Sequence, residues 1–109
     1  MNQITIIGNI AEPKLQYTNG GTAKLEFGLA TSHKNQKEEK ITTWHNIVVW
    51  GEFGENLAGD IKKGDRLIVI GRIVEDKYVN KDGEEKTYRF VLATDAGISR
   101  KFTSWSNES

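Results

Sequence analysis

Trp44-His45-Asn46-Ile47-Val48-Val49-Trp50, running directly into Gly51-Glu52-Phe53-Gly54-Glu55-Asn56-Leu57, is the stretch that decides the fold. Its first half reads as a β-strand, in which successive side chains point to opposite faces. Trp44, Asn46, Val48 and Trp50 then share one face, while His45, Ile47 and Val49 point the other way and can line a core. After Trp50 the period changes. Phe53, Leu57 and Ile61 fall at i, i+4 and i+8, the apolar stripe of a short helix over residues 51–63. Gly64-Asp65 follows, as glycine commonly follows a helix end.

Strands flank this strand-to-helix junction on both sides. Upstream, Ile4-Thr5-Ile6-Ile7-Gly8 has strand periodicity. Tyr17-Thr18-Asn19-Gly20-Gly21-Thr22 is a turn signal, because Asn-Gly readily takes positive φ. Ala23, Leu25, Phe27 and Leu29 recur at every second residue, the mark of a strand with one buried face. Residues 33–40 are polar and aperiodic, a loop. Downstream, Leu67, Val69, Gly71 and Ile73 mark a fourth strand, with Leu67, Val69 and Ile73 as its core set. A polar connection with Asn80-Lys81-Asp82-Gly83 at its tip leads to a returning strand over residues 87–94. There Tyr88, Phe90 and Leu92 share one face, and Arg89 and Val91 the other. Residues 97–102 read as a short final strand, and Trp105 falls in a polar tail. Three strands, one helix and then two or three strands, all short and turn-punctuated, predict an all-β fold. The expected architecture is a five-stranded OB-fold Greek-key barrel with one short α-helix between strands 3 and 4. We expect one domain over residues 1–103 and a tail over 104–109.

Composition narrows the function. The chain has 109 residues, 37% hydrophobic and 28% charged, as expected of a globular domain rather than a disordered one. Without cysteine there is no disulfide framework or thiolate metal site, and two histidines alone give no metal-ligand spacing. No Gly-rich phosphate loop or Gly-x-Ser-x-Gly elbow occurs, so no enzyme class is supported and no cofactor or metal is expected. No apolar run approaches the roughly 18 residues of a membrane span, and no charged leader precedes an apolar stretch. A cytoplasmic protein without membrane contact is the expectation. Fifteen basic residues balance fifteen acidic ones, so attraction to a polyanion must come from local charge or from another force.

The two indoles supply a candidate for that force. Tryptophan is mostly buried in folded proteins, so Trp44 and Trp50 could be ordinary packing residues. Their shared parity opposite Ile47 and Val49 instead suits an open aromatic face, on which unpaired bases stack.

The motifs, in order and at matching spacing, resemble bacterial and phage single-stranded DNA-binding proteins from residue 2 to 102. They are Ile4-Thr5-Ile6-Ile7-Gly8-Asn9-Ile10, Tyr17-Thr18-Asn19-Gly20-Gly21, Phe27-Gly28-Leu29-Ala30-Thr31-Ser32, Thr43-Trp44-His45-Asn46-Ile47-Val48-Val49-Trp50-Gly51 and Lys63-Gly64-Asp65-Arg66-Leu67-Ile68-Val69-Ile70-Gly71-Arg72. The resemblance implies sequence-independent coating of single-stranded DNA in replication, recombination and repair. A primosome-type adaptor on the same barrel, or a carbohydrate- or protein-binding module, is the alternative. The family's stacking positions match Trp44, Trp50 and Tyr78, and Tyr78 shares parity with Arg66, Ile68, Ile70 and Arg72. A further stacking position in the loop before the third strand offers only Asn35 or His33. His45 matches a histidine that supports subunit contacts in relatives. Phosphate contacts are expected from Arg72, Lys77 and Lys86, and also from Lys34 and Arg89. Five acidic residues (Glu75, Asp76, Asp82, Glu84 and Glu85) share residues 72–89 with the basic ones, and arginines that relatives carry near Gln16, Val74 and Asp76 are absent. Stacking should therefore carry more of the affinity than charge does. The resemblance also implies self-association, as a homotetramer of dimers paired through the first strand or as a dimer alone. Ser104-Trp105-Ser106-Asn107-Glu108-Ser109 does not match the family's acidic C-terminal tip, which fits either a truncated chain or a phage, plasmid or conjugative-element protein that does without it, and leaves recruitment of replication partners through such a tip doubtful.

Overall fold

The computed structural model describes residues 2–100. Five strands and one helix follow in the order β1 (Ile4–Tyr17), β2 (Ala23–Lys34), β3 (Lys40–Trp50), α1 (Gly51–Asp60), β4 (Arg66–Val79) and β5 (Glu85–Ile98). The strands close into a barrel in the order β1-β2-β3-β5-β4, the OB-fold. All neighbours are antiparallel except β3 and β5, which run parallel.

Closure depends on β1 serving two partners. Its first half pairs with β4 (Ile4↔Gly71 to Asn9↔Arg66) and its second half with β2 (Asn9↔Ala30 to Tyr17↔Ala23). The strand turns between these tasks at a bulge between Ala11 and Lys14, where Glu12 takes φ 48° and the chain's single proline, Pro13, follows. Proline cannot donate to a ladder, so a bulge is where a strand tolerates it. Two glycines let backbones meet at the closure. A Cβ on Gly8 would lie 2.4 Å from the Ala30 carbonyl oxygen, and one on Gly71 would lie 2.3 Å from that of Leu92.

The alternation read in β2 governs the core. Ala23, Leu25, Phe27 and Leu29 are buried, and the last three meet Ile6, Ile10, Ile47, Val49, Leu67, Val69, Val91 and Ala93 inside the barrel. Helix α1 plugs one end with Phe53, Leu57 and Ala58 packed on this core.

Several sequence expectations change here. The helix ends at Asp60 rather than residue 63, and Ile61 is its extended C-cap, buried in the core. Gly64-Asp65 belongs to a separate turn in which the Lys62 amide donates to Asp65 Oδ2 and the Gly64 amide to the Ile10 carbonyl. Residues 97 and 98 continue β5 instead of forming another strand, while residues 101–102, the tail 104–109 and Trp105 lie outside the described residues. The loop expected over residues 33–40 is present as the turn 35–39, whereas the connection expected over 74–86 is mostly strand, because β4 and β5 pair far beyond the barrel wall. Lys34↔Lys40 and Val79↔Glu85 close the β2–β3 and β4–β5 hairpins. Ile73, expected in the core, is 39% exposed, because β4 has already left its pairing with β1 at Gly71. The Asn2 side chain takes over there, accepting from the Ile73 amide at 2.9 Å.

Candidate nucleic-acid interface

The outer face of β3 is built by its two neighbours. On the β2 side, Lys24 is opposite Trp50, Glu26 opposite Val48, Gly28 opposite Asn46 and Ala30 opposite Trp44. On the β5 side, Val48 is level with Leu92. Leu92 in turn faces Arg72, and the same alternation along β4 carries Val74, Asp76 and Tyr78 to this surface, opposite Phe90, Tyr88 and Lys86. The register therefore puts Trp44, Trp50 and Tyr78 outside the core, 61%, 41% and 52% exposed. Trp44 and Trp50 are about 20 Å apart along the strand, at roughly 3.4 Å per residue.

Each ring has a distinct seat. The Trp44 indole lies over Gly28, whose missing side chain leaves room for it: a Cβ there would touch the ring at 3.4 Å. The Lys24 ammonium sits 5.3 Å from the Trp50 ring centroid and is itself tied to Glu26 at 3.4 Å. Tyr78 stands near the end of the β4–β5 hairpin, opposite Lys86. Val48, expected on the open face with the tryptophans, is instead buried, flanked by Glu26 and Leu92. Tyr88 and Phe90 stack on each other at 5.4 Å on the same side of β5. Burial raises the Tyr88 hydroxyl above its usual pKa of 10.0; nearby Glu26 adds to the rise and Lys24 opposes it.

The expected phosphate contacts are spread out and mostly neutralised. Lys34 pairs with Glu38 at 3.8 Å at the β2–β3 tip, Lys77 with Glu85 at 3.6 Å, and Lys86 with Glu84 at 3.6 Å. Arg89 Nε donates to Glu75 Oε1 at 3.0 Å. Arg72 alone of the five has no carboxylate partner among the described residues. His45 is half-buried, with Nε2 3.3 Å from the Thr31 hydroxyl. Asn35, in the loop before β3, is occupied by the turn: its side-chain oxygen accepts from the Lys37 and Glu39 amides.

Sequence reading missed Lys24 and Glu26, which are placed beside Trp50 and Val48 only by the β2–β3 register. The shared face of Tyr88 and Phe90 was legible, but not its position beside β3, which depends on a non-local parallel pairing. Among the described residues, no group of three or more His, Asp or Glu side chains could hold a metal ion, and no helix is long and apolar enough to cross a membrane.

Fold and face together define an OB barrel with an open aromatic surface. The model of the single-strand binding protein family matches residues 1–99, and the chain belongs to that family. It is similar to the single-stranded DNA-binding protein of Thermus aquaticus, 38% identical over 88 residues, covering 79% of this chain and 33% of that protein. The protein of the same description from Corynebacterium glutamicum is 34% identical over 106 residues, 91% of this chain and 47% of its own length. That from Paenarthrobacter aurescens is 32% identical over 108 residues, 93% and 63% respectively. The chain thus spans about a third to just under two thirds of the length of these relatives.

Proposed function

We propose that this chain binds single-stranded DNA without regard to sequence and shields it during replication, recombination and repair, in the cytoplasm and without catalysis. The observation that carries the reading is the exposure of Trp44, Trp50 and Tyr78 outside a well-filled core. An exposed indole has a free π-face, and every base can stack on one, which makes the contact tolerant of sequence. Arg72, Lys77, Lys86, Lys34 and Arg89 follow the phosphates between the rings. The names of the relatives agree with this activity.

Self-association through β1, as a dimer or a tetramer of paired dimers, is part of the proposal. Residues 4–8 of β1 pair with β4 on one side, and no strand covers their other edge among the described residues. Ile7 is 42% exposed there, with Ile68 opposite it and Ile70 nearby, both half-buried. An open edge with apolar side chains invites a second strand.

Titration with oligo-dT while following tryptophan fluorescence tests the activity, and light scattering on the same sample gives the assembly. Saturable quenching is expected, lost when Trp44→Ala and Trp50→Ala are combined. Tight binding that survives this double substitution would favour the adaptor reading, and no response to single strands would favour a protein- or carbohydrate-binding module.

A further inference from the structure

The parallel seam between β3 and β5 is short. Only Ile47↔Val91 and Val48↔Leu92 pair, and toward the hairpin tips the strands separate. Because β3 and β5 run parallel, both hairpins leave the barrel at the same end, and a groove opens between their roots. Ile4, Trp44, His45, Asn46, Ile73, Arg89, Phe90 and Val91 line its roughly 380 Å³. That volume is near the lower end of small-ligand sites, about 300–1,000 Å³.

We propose that this groove takes one unstacked nucleobase of the bound strand, with Phe90 and Asn46 as binding residues beyond the three stacking rings. The assignment rests on the single-strand binding proposed above and locates a specific subsite within it. Three features select a base as the occupant. The groove is continuous with the Trp44 face and has a second aromatic, Phe90, in its wall. Three more of its lining residues are aliphatic (Ile4, Ile73 and Val91), which suits a ring better than a phosphate. The Asn46 side chain stands at its edge and makes no hydrogen bond among the described residues, although Asn46 lines a second, smaller cleft as well. A free carboxamide offers a donor beside an acceptor. Every DNA base presents such a pair on its Watson–Crick edge, so a rotated amide can serve any of the four without specifying one. The outer edges of β3 and β5 face each other across the groove and carry further unpaired N–H and C=O groups. Arg89, which also lines the groove and is held by Glu75, offers a cation to the phosphate of the same nucleotide.

The test is NMR of the full chain titrated with oligo-dT and, separately, with an abasic sugar-phosphate oligomer of the same length. The Asn46 side-chain NH₂ resonances are assigned by their loss in Asn46→Ala. They should shift with oligo-dT and not with the abasic oligomer. Asn46→Ala should weaken oligo-dT and oligo-dA alike by about 2- to 12-fold, the net effect of one hydrogen bond. Phe90→Leu, which keeps an apolar cover, should weaken both by at least about fivefold through lost stacking. Thermal unfolding checks that each variant stays folded. If the tryptophan indole N–H signals shift while Asn46 does not, the groove is empty in the complex and this inference fails, leaving single-strand binding intact. An equal Asn46 shift with the abasic oligomer puts the backbone, not a base, in the groove and also overturns it. If neither indole nor amide responds to oligo-dT, the binding function itself fails.

Discussion

Raising salt should weaken single-strand binding only slightly. Association with a single strand releases counterions in proportion to the number Z of phosphates neutralised, and the slope of log K against log salt is about −0.7Z. Counting only Lys34, Arg72, Lys77, Lys86 and Arg89 gives Z of five and a slope near −3.5 per chain. Four of these cations are already held by Glu38, Glu85, Glu84 and Glu75. A phosphate entering such a pair must displace a carboxylate or be repelled by it. Exposed pairs contribute only about 0–1 kcal/mol, so exchange is feasible, but its net electrostatic gain is small. Five cations against four carboxylates leave an effective Z near one and a slope near −0.7. From 50 to 200 mM salt, affinity should then fall about 2.6-fold, against about 130-fold for five uncompensated contacts. Fluorescence titration with oligo-dT at four or five salt concentrations measures the slope directly. A slope near −3.5, together with little effect of Trp44→Ala plus Trp50→Ala, would refute the view that stacking dominates.

Three further outcomes follow from the barrel. Leu25→Ala should cost about 2–5 kcal/mol in urea unfolding, since Leu25 is wholly buried among core side chains. Gly71→Ala should destabilise by at least about 1–3 kcal/mol, because the added methyl meets the Leu92 carbonyl oxygen at 2.3 Å and backbone has to move at the closure point. Burial, then Glu26, raises the Tyr88 pKa above 10.0 in the folded state. The folded state thus holds this proton more tightly than the unfolded one. The associated stability is present below pH 10 and is lost as pH rises through the folded pKa. Tyr88→Phe should flatten that part of the alkaline limb in pH-dependent thermal unfolding, and an unchanged limb would place the hydroxyl in water.

The parts of this molecule legible in its sequence are those fixed by local periodicity. Ala23, Leu25, Phe27 and Leu29 announced a buried face, and Phe53 with Leu57 a helix, because burial writes period two or period 3.6 directly into the chain. Ile73 and Val48 broke the same logic for opposite reasons. Ile73 has core parity but lies past the last pairing with β1, so no barrel remains for it to face. Val48 has surface parity but is covered by what stands beside it on β2 and β5. Parity assigns a side of the sheet. Whether that side is dry depends on neighbours brought in from elsewhere in the chain.

The same distinction separates the rings from the cations in the candidate site. Trp44, Trp50 and Tyr78 are exposed through their own strand parity, so sequence alone could nominate them. The cations could be nominated by type, but their effective charge depends on their pairs: Lys34–Glu38 and Lys86–Glu84 are local in sequence, while the other two are created by register. Lys77 meets Glu85 across the β4–β5 hairpin, and Arg89 meets Glu75 directly opposite on the same ribbon. A zero net charge in the sequence is compatible with segregated patches of either sign. Local and cross-strand pairing instead set the charges beside their opposites, which weakens the long-range pull on a polyanion, so the exposed rings rather than the cations distinguish this face from the rest of the surface.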